Sequence, residues 1–133
     1  MSMAQVREFH EAFGLPINWI GPGTSKEKIE LRRKLIQEEF KEVDEVFEAL
    51  LVEIERGYIN RATMAHLLKE LADLKYVIDG TGVTFGLDVE AAEERVHNSN
   101  MSKLWEDGKP RYREDGKVLK GPLYHEPYLE DLV

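Results

Sequence analysis

Two long helical stretches separated by a five-residue link constrain this chain most. From Thr24 or Ser25 to about Arg56, the apolar residues Ile36, Phe40, Val43, Phe47, Leu50 and Ile54 recur at alternating spacings of four and three. That rhythm predicts a helix that presents one apolar seam to a partner helix. A second stretch, from about Asn60 into the Gly80–Gly86 segment, answers with Met64, Leu67, Leu68, Leu71, Leu74 and Ile78. The link Arg56-Gly57-Tyr58-Ile59-Asn60 is short, so the two helices are expected to form an antiparallel hairpin.

Two further helices fit on either side. One covers roughly Ser2 to Phe13; the other opens at Asp88, a good N-cap residue, with Glu90 in its first turn. The long first stretch has Lys28 where a capping box would want an acid. The break before it is Gly21-Pro22-Gly23-Thr24-Ser25. Beyond the last helix, Tyr112 and Arg113, then Glu114-Asp115-Gly116, then Lys117 to Leu119 read as a small β-hairpin turned by Asp-Gly. The expected fold is therefore all-α, a four-helix-type subunit with an extended C-terminal tail. Such tails often lie over another surface, which suggests an oligomer.

The 133 residues, 42% of them hydrophobic, suffice for one compact domain, and a single domain over 1–133 is the expectation. No apolar run approaches bilayer length, and the acid-bearing start MSMAQVREFHEAFG lacks the apolar core of a secretory signal. No membrane association and a cytoplasmic location follow as expectations. With no cysteine, thiolate nucleophiles and thiolate metal sites are excluded, so any metal must sit on oxygen or imidazole. A net charge of -8 argues against broad binding to nucleic acid. It does not argue against small phosphorylated ligands, because divalent cations can bridge carboxylates and phosphates.

The first long helix carries Glu38, Glu39 and Glu42; the second carries Glu70 and Asp73. Acids three apart on a helix usually mark a solvated face. Here they are interleaved with apolar residues. At about 100° per residue, Glu39 lies at the edge of the seam. Glu38 and Glu42 surround Leu35 on an arc that also holds Leu31 and Val46. Glu70 and Asp73 share a flank with Val77, beside Leu74. Like charges crowded against apolar surface repel and resist desolvation unless a cation neutralises them. Register brings the sets together: Glu42 and Asp73 each lie roughly 20 Å from the link along their helices. Five carboxylates without sulfur make a hard oxygen site, suited to Mg²⁺ or Mn²⁺. His66 falls on the Glu70/Asp73 face one turn away, but imidazole suits magnesium poorly, which favours a non-ligand role.

The segment L-I-Q-E-E-F-K-E (Leu35 to Glu42) followed by K-E-L-A-D-L-K-Y-V (Lys69 to Val77) resembles the E-E-x-x-E and E-x-x-D motifs of the MazG-like and phosphoribosyl-ATP pyrophosphohydrolase superfamily. The resemblance extends through V-H-N-S-N-M-S-K-L (Val96 to Leu104) and D-G-K-V-L-K-G-P (Asp115 to Pro122). It implies a homodimer or dimer of dimers that hydrolyses nucleoside triphosphates, deoxynucleotides such as dUTP or altered dNTPs among them, to the monophosphate and pyrophosphate. Glu39, Glu42, Glu70 and Asp73 become the metal ligands. Glu38 becomes either a further ligand or the base that positions the attacking water. Asn100 and Lys103 become phosphate-contacting groups. Phosphoribosyl-ATP hydrolysis is the nearest competitor within the superfamily, and the D-G-K-V-L-K-G-P tail looks more like the stand-alone MazG-like group.

A rival class rests on Glu94-x-x-His97, an E-x-x-H motif of the sort di-iron carboxylate bundles use. Those bundles supply two such motifs, and this chain has one. Phe9 and Phe13 read as packing residues of an amphipathic first helix. His10 could contact a base, and Trp19 and Trp105 could close a pocket or cover apolar surface. Lys109, Arg111, Arg113, Lys117 and Lys120 alternate with acids and read as solvated.

Overall fold

The computed structural model describes residues 2–18 and 25–133. It contains four α-helices among them: α1 (Ser2–Phe13), α2 (Ser25–Glu55), α3 (Arg61–Phe85) and α4 (Val89–Met101). Trp19 and the Gly21-to-Thr24 break lie outside the described residues. The helices agree with the sequence reading to within a residue or so because their ends are chemically marked. Asn60 caps α3, its side chain accepting from the Ala62 N–H at 2.9 Å. Asp88 caps α4, accepting from the Ala91 N–H at 3.0 Å. Each cap satisfies an N–H that the helix itself cannot pair. At the other end of α3, Gly86 takes a left-handed φ of 68° that suits glycine.

The chain divides into two compact units, Met1–Leu87 and Asp88–Val133. In the first, α2 and α3 form the expected antiparallel hairpin. Near the link, the Glu53 carboxylate accepts from the Asn60 N–H at 2.6 Å and from the Thr63 hydroxyl at 2.5 Å. Far from it, Arg32 donates from Nε to Thr81 Oγ1 at 3.1 Å and from Nη2 to the Val77 carbonyl at 2.8 Å. Partners that close up as α2 numbers rise and α3 numbers fall define the antiparallel sense. The α1 helix packs on α3: Val6 is buried, Phe9 meets Tyr76 edge-on at 5.7 Å, and Phe9 and Phe13 lie 4.4 Å apart. Phe9 thus packs against α3, whereas Phe13, 67% exposed and stacked on Phe9 of its own helix, does not pack into the core as expected.

The seam differs from expectation. On α2 the buried or half-buried positions are Lys28, Arg32, Leu35, Ile36, Glu39, Val43, Val46, Leu50 and Glu53, whereas Phe40, Phe47 and Ile54 are exposed. On α3, Leu67, Glu70 and Leu74 turn inward while Met64, Leu68, Leu71 and Ile78 remain exposed. Each helix is apolar over a wider arc than one neighbour can cover, so periodicity alone marks the arc without saying which part faces the hairpin partner.

In the second unit, α4 carries the tail. Arg95 grips the Asp131 carboxylate with both terminal nitrogens and donates to the Tyr128 carbonyl at 2.9 Å. Ser99 Oγ donates to the His125 carbonyl at 2.7 Å. The expected hairpin is reduced to one isolated antiparallel bridge, Tyr112 with Val118, around Gly116 at φ 89°. No strand forms among the described residues. Arg113 pairs with Asp115 inside the turn, but the extended segment has no neighbouring sheet on which to continue its ladder.

Candidate active site

The hairpin register brings four of the five singled-out acids to one place. Ligand-capable oxygens of Glu39, Glu42, Glu70 and Asp73 all lie within 4.8 Å of one another, the single such group of three or more potential ligands among the described residues. Burial is graded. Glu70 is almost fully buried, Glu39 and Asp73 are half-buried, and Glu42 is exposed. Glu38 is not part of this group; it is exposed on α2, 3.9 Å from Lys34 Nζ. The 100° step from Glu38 to Glu39 separates the two acids, so only Glu39 turns towards α3.

Two features show that the group is not an ordinary acidic surface. Buried oxygens Glu39 Oε2 and Glu70 Oε2 have no hydrogen-bond partner among the described residues. Buried carboxylate oxygens are normally satisfied, and leaving them bare is costly. The Glu42 carboxyl is also pushed above its ordinary 4.5, first by a hydrogen bond shared with Glu70 and then by repulsion from Glu39. A divalent cation bound between these oxygens would answer both, and an all-oxygen donor set fits one.

Cationic side chains border the acids. Lys69 Nζ lies 2.7 Å from Asp73 Oδ2 and 3.4 Å from Glu70 Oε1, and these partners raise its pKa, the Asp73 hydrogen bond most. His66 Nε2 lies 3.0 Å from Glu70 Oε1. Both occupy the oxygen of Glu70 that is not bare, leaving Oε2 open. Beside them a cavity of about 370 Å³ is lined by Glu42, Glu45, Val46, His66, Lys69 and Glu70. Lys69 stands within the quoted K-E-L-A-D segment, yet it has no role in the sequence reading. Its (i, i+4) spacing to Asp73 is the signal that could have found it.

A family model described as phosphoribosyl-ATP pyrophosphohydrolase matches residues 6–100. The chain belongs to that family. It is therefore a pyrophosphohydrolase, a hydrolase of phosphoric anhydrides, and its four carboxylates form a group that could hold a metal. Among curated proteins, none matches the chain. The matched segment contains α2 and α3 entire, with every acid of the group.

Asn100, Lys103 and Trp105 belong to the second unit and His10 to the first. Asn100 is exposed near the end of α4 and Lys103 is half-buried in the turn that follows, its N–H bonded to the Asn100 carbonyl at 3.1 Å. The Lys103 carbonyl accepts from the Gly121 N–H at 3.0 Å. A Cβ on Gly121 would lie 2.8 Å from that carbonyl oxygen, so the Gly-Pro of the tail is fitted closely to this turn. His10 is buried, with Nδ1 donating to the Pro16 carbonyl at 2.9 Å. Trp105 lies under Arg111, 5.2 Å from its ring centroid. Glu94 and His97 join no group of potential ligands among the described residues, so the di-iron reading gains no support. No helix is long and apolar enough to cross a membrane among the described residues.

Proposed function

We propose that this pyrophosphohydrolase hydrolyses nucleoside triphosphates, deoxynucleotides such as dUTP or altered dNTPs among them, to the monophosphate and pyrophosphate with Mg²⁺, or Mn²⁺ in its place. The observation that carries the metal part is the pair of bare buried oxygens, Glu39 Oε2 and Glu70 Oε2, facing a group completed by Glu42 and Asp73. Glu39, Glu42, Glu70 and Asp73 would hold the ion. When bound, it polarises the α-phosphate and acidifies its water. The protein's own part is to fix the oxygens and to place a base. In this reading the water oxygen bonds to the α-phosphorus as the bond to the bridging oxygen breaks and pyrophosphate leaves; the sequence motif assigns Glu38 as the base for the water's proton or as a further ligand, although Glu38 stands outside the four-acid group. Asn100 and Lys103 contact phosphate oxygens, a role supported by the sequence motif and by the chemistry of an amide and an ammonium donor.

The 133 residues act as one functional domain in this reading, supported by a family match that runs through the boundary at residue 87. The working form is a homodimer or a dimer of dimers. Its support is the exposed apolar stripe of Phe40, Phe47, Leu51 and Ile54 on α2 and Leu68 on α3, set against a buried hydrophobic core of Val6, Val43, Val46 and Val83. The acidic balance speaks against nucleic acid and anionic membranes as partners, and a cytoplasmic location is consistent with it. A second reading, hydrolysis of phosphoribosyl-ATP, is favoured by the description of the matching family.

A panel of canonical and altered nucleoside triphosphates together with phosphoribosyl-ATP, assayed with Mg²⁺ and resolved by product, separates the two. Pyrophosphate from a nucleoside triphosphate is the expected primary product. Primary release of orthophosphate, or turnover of phosphoribosyl-ATP alone, would overturn the first reading.

A further inference from the structure

In the second unit the tail returns to the end of α4 at Gly121, and that residue is a glycine for reasons of space. Gly108 and Gly116 take left-handed φ values of 74° and 89°, and a Cβ on either would meet nothing within 4 Å. They are glycines because their turns need that backbone. Gly121 has no such φ, yet a Cβ there would lie 2.8 Å from the Lys103 carbonyl oxygen, 2.9 Å from the Leu104 carbonyl oxygen and 3.0 Å from Trp105 Cε3. Two of these three atoms are backbone and cannot swing aside as a side chain can. Only a residue without a side chain brings its N–H to the Lys103 carbonyl at 3.0 Å.

The neighbouring residue is held as well. Ser102 Oγ accepts from the His125 N–H at 3.1 Å and donates to the Ser99 carbonyl at 2.6 Å, while the buried Ser99 hydroxyl donates to the His125 carbonyl at 2.7 Å. With the Lys103 N–H on the Asn100 carbonyl at 3.1 Å, the backbone that carries Lys103 is tied both to α4 and to the tail. The side chain is not. Lys103 is half-buried, and its ammonium has no hydrogen-bond or ion-pair partner among the described residues. Arg95, Arg111 and Arg113 of the same unit each pair with an aspartate. A pinned backbone under an uncommitted ammonium suits a charge meant for a partner from outside, because part of the ordering cost is met before the partner arrives.

We propose that the returning tail is a positioning element for phosphate binding, with Gly121 as the positioning residue: its backbone contact sets where Lys103 presents its ammonium to the substrate, and a side chain at 121 misplaces it. The inference rests on the reading of Lys103 as a phosphate contact and adds the device that holds it. Misplacing a catalytic contact by about 1 Å costs on the order of 100-fold in rate. Crowding at two carbonyls, relieved by a smaller shift, costs less than that.

The test is kcat/KM with Mg²⁺, on the nucleoside triphosphate that the wild type hydrolyses fastest, in a double-mutant cycle of Gly121→Ala and Lys103→Met. Lys103→Met should lower kcat/KM by roughly 10- to 100-fold, as expected for loss of a hydrogen bond to a charged group. Gly121→Ala should lower it by roughly three- to tenfold in the wild-type background, and by less than about twofold once Lys103 is replaced. A glycine that served the fold alone would lower activity equally in both backgrounds. Equal losses in the two backgrounds, or no loss in Gly121→Ala, overturn the inference while the Lys103 reading survives. Full activity in Lys103→Met, or a wild type that hydrolyses no triphosphate, overturns that reading and this inference with it. Should Gly121→Ala not fold, Ser102→Ala takes its place in the cycle, since it releases the His125 N–H beside Lys103 without crowding, and the same outcomes decide.

Discussion

The same pair of helices holds two buried polar regions of opposite sign. At the middle of the hairpin, Glu39, Glu42, Glu70 and Asp73 crowd four acids together, with two buried oxygens bare. Two turns away along α2, Arg32 lies buried with its donors matched to a hydroxyl and a carbonyl. The arginine region is tied within the chain, its two bonds joining α2 to α3. The carboxylate region is left open, because Lys69 and His66 reach only the Glu70 oxygen that is not bare, with Lys69 also on Asp73. A region bonded within the chain reads as a structural joint; one that leaves buried carboxylate oxygens bare is a candidate binding site. That contrast predicts opposite results when each is disturbed.

The largest effect is expected at the acids. Glu42→Gln should lower turnover at least roughly 100-fold, since even residues that only support a metal ligand cost 10- to 100-fold. Metal-free stability should stay the same or rise, because a like charge has been removed while the apolar packing is untouched. Thermal melts of the metal-free protein beside kinetics check both, and a large loss of stability would make Glu42 part of a structural joint like Arg32.

At the arginine the pattern should reverse. A Cβ on Gly80 would stand 2.5 Å from Arg32 Nη2 and 3.2 Å from His10 Nε2. Gly80→Ala must therefore displace a guanidinium held by two hydrogen bonds, a loss of about 1–3 kcal/mol by analogy with overpacked cores. Urea denaturation reads it. Unchanged stability would mean that Arg32 has room to move, and the contrast between the two regions would lose its structural half.

Much of this layout is legible in the sequence, and the misses have physical causes. The caps Asn60 and Asp88 mark helix ends because a side-chain oxygen at an N-terminus has a local partner. Counting 1.5 Å per residue from the link brings Glu42 and Asp73 level, and the four acids do meet. Spacing groups Glu38 with Glu42 around Leu35, but Leu31 on that arc is exposed and Val46 is buried, so the inward face is narrower than the apolar arc. Phe40 and Phe47 mislead for the same reason. Arg32 carries no signal, since nothing local distinguishes a buried arginine from an exposed one. The tail turn at Asp115-Gly116 is readable, whereas the number of paired residues around it depends on neighbours that spacing does not show.

A pH series probes the crowding of the acids by itself. The carboxyl of Glu42 is held above its ordinary 4.5 in the fold. Folded protein therefore binds its proton more tightly than unfolded chain does, and the stabilisation from protonating it is present below 4.5 and lost as pH rises through the higher folded value. Asp107, Asp115 and Asp131, held low by hydrogen bonds led by the Lys109 backbone, Arg113 and Arg95 respectively, act in the opposite direction. The difference between wild type and Glu42→Gln isolates the Glu42 contribution. Metal-free wild type should gain stability relative to the variant as pH falls through that window; a constant difference would remove the crowding argument.

The smallest effect is expected at Lys69. Its pairing with Asp73 is exposed on the lysine side, and pairs of this kind contribute about 0–1 kcal/mol. Lys69→Met should thus change metal-free stability by less than about 1 kcal/mol, measured by urea denaturation. A larger loss would make the lysine, and not a metal, the main counter-charge of the acids.

Whether the four carboxylates hold a divalent cation is decided by calorimetric titration of the metal-free protein with Mn²⁺, carried out beside Glu70→Gln. Saturable Mn²⁺ binding by the wild type is expected, accompanied by a rise in melting temperature, with both lost in a folded Glu70→Gln protein. Absence of binding in the wild type, or undiminished binding after the Glu70 change, would contradict the assignment of these acids as a metal site.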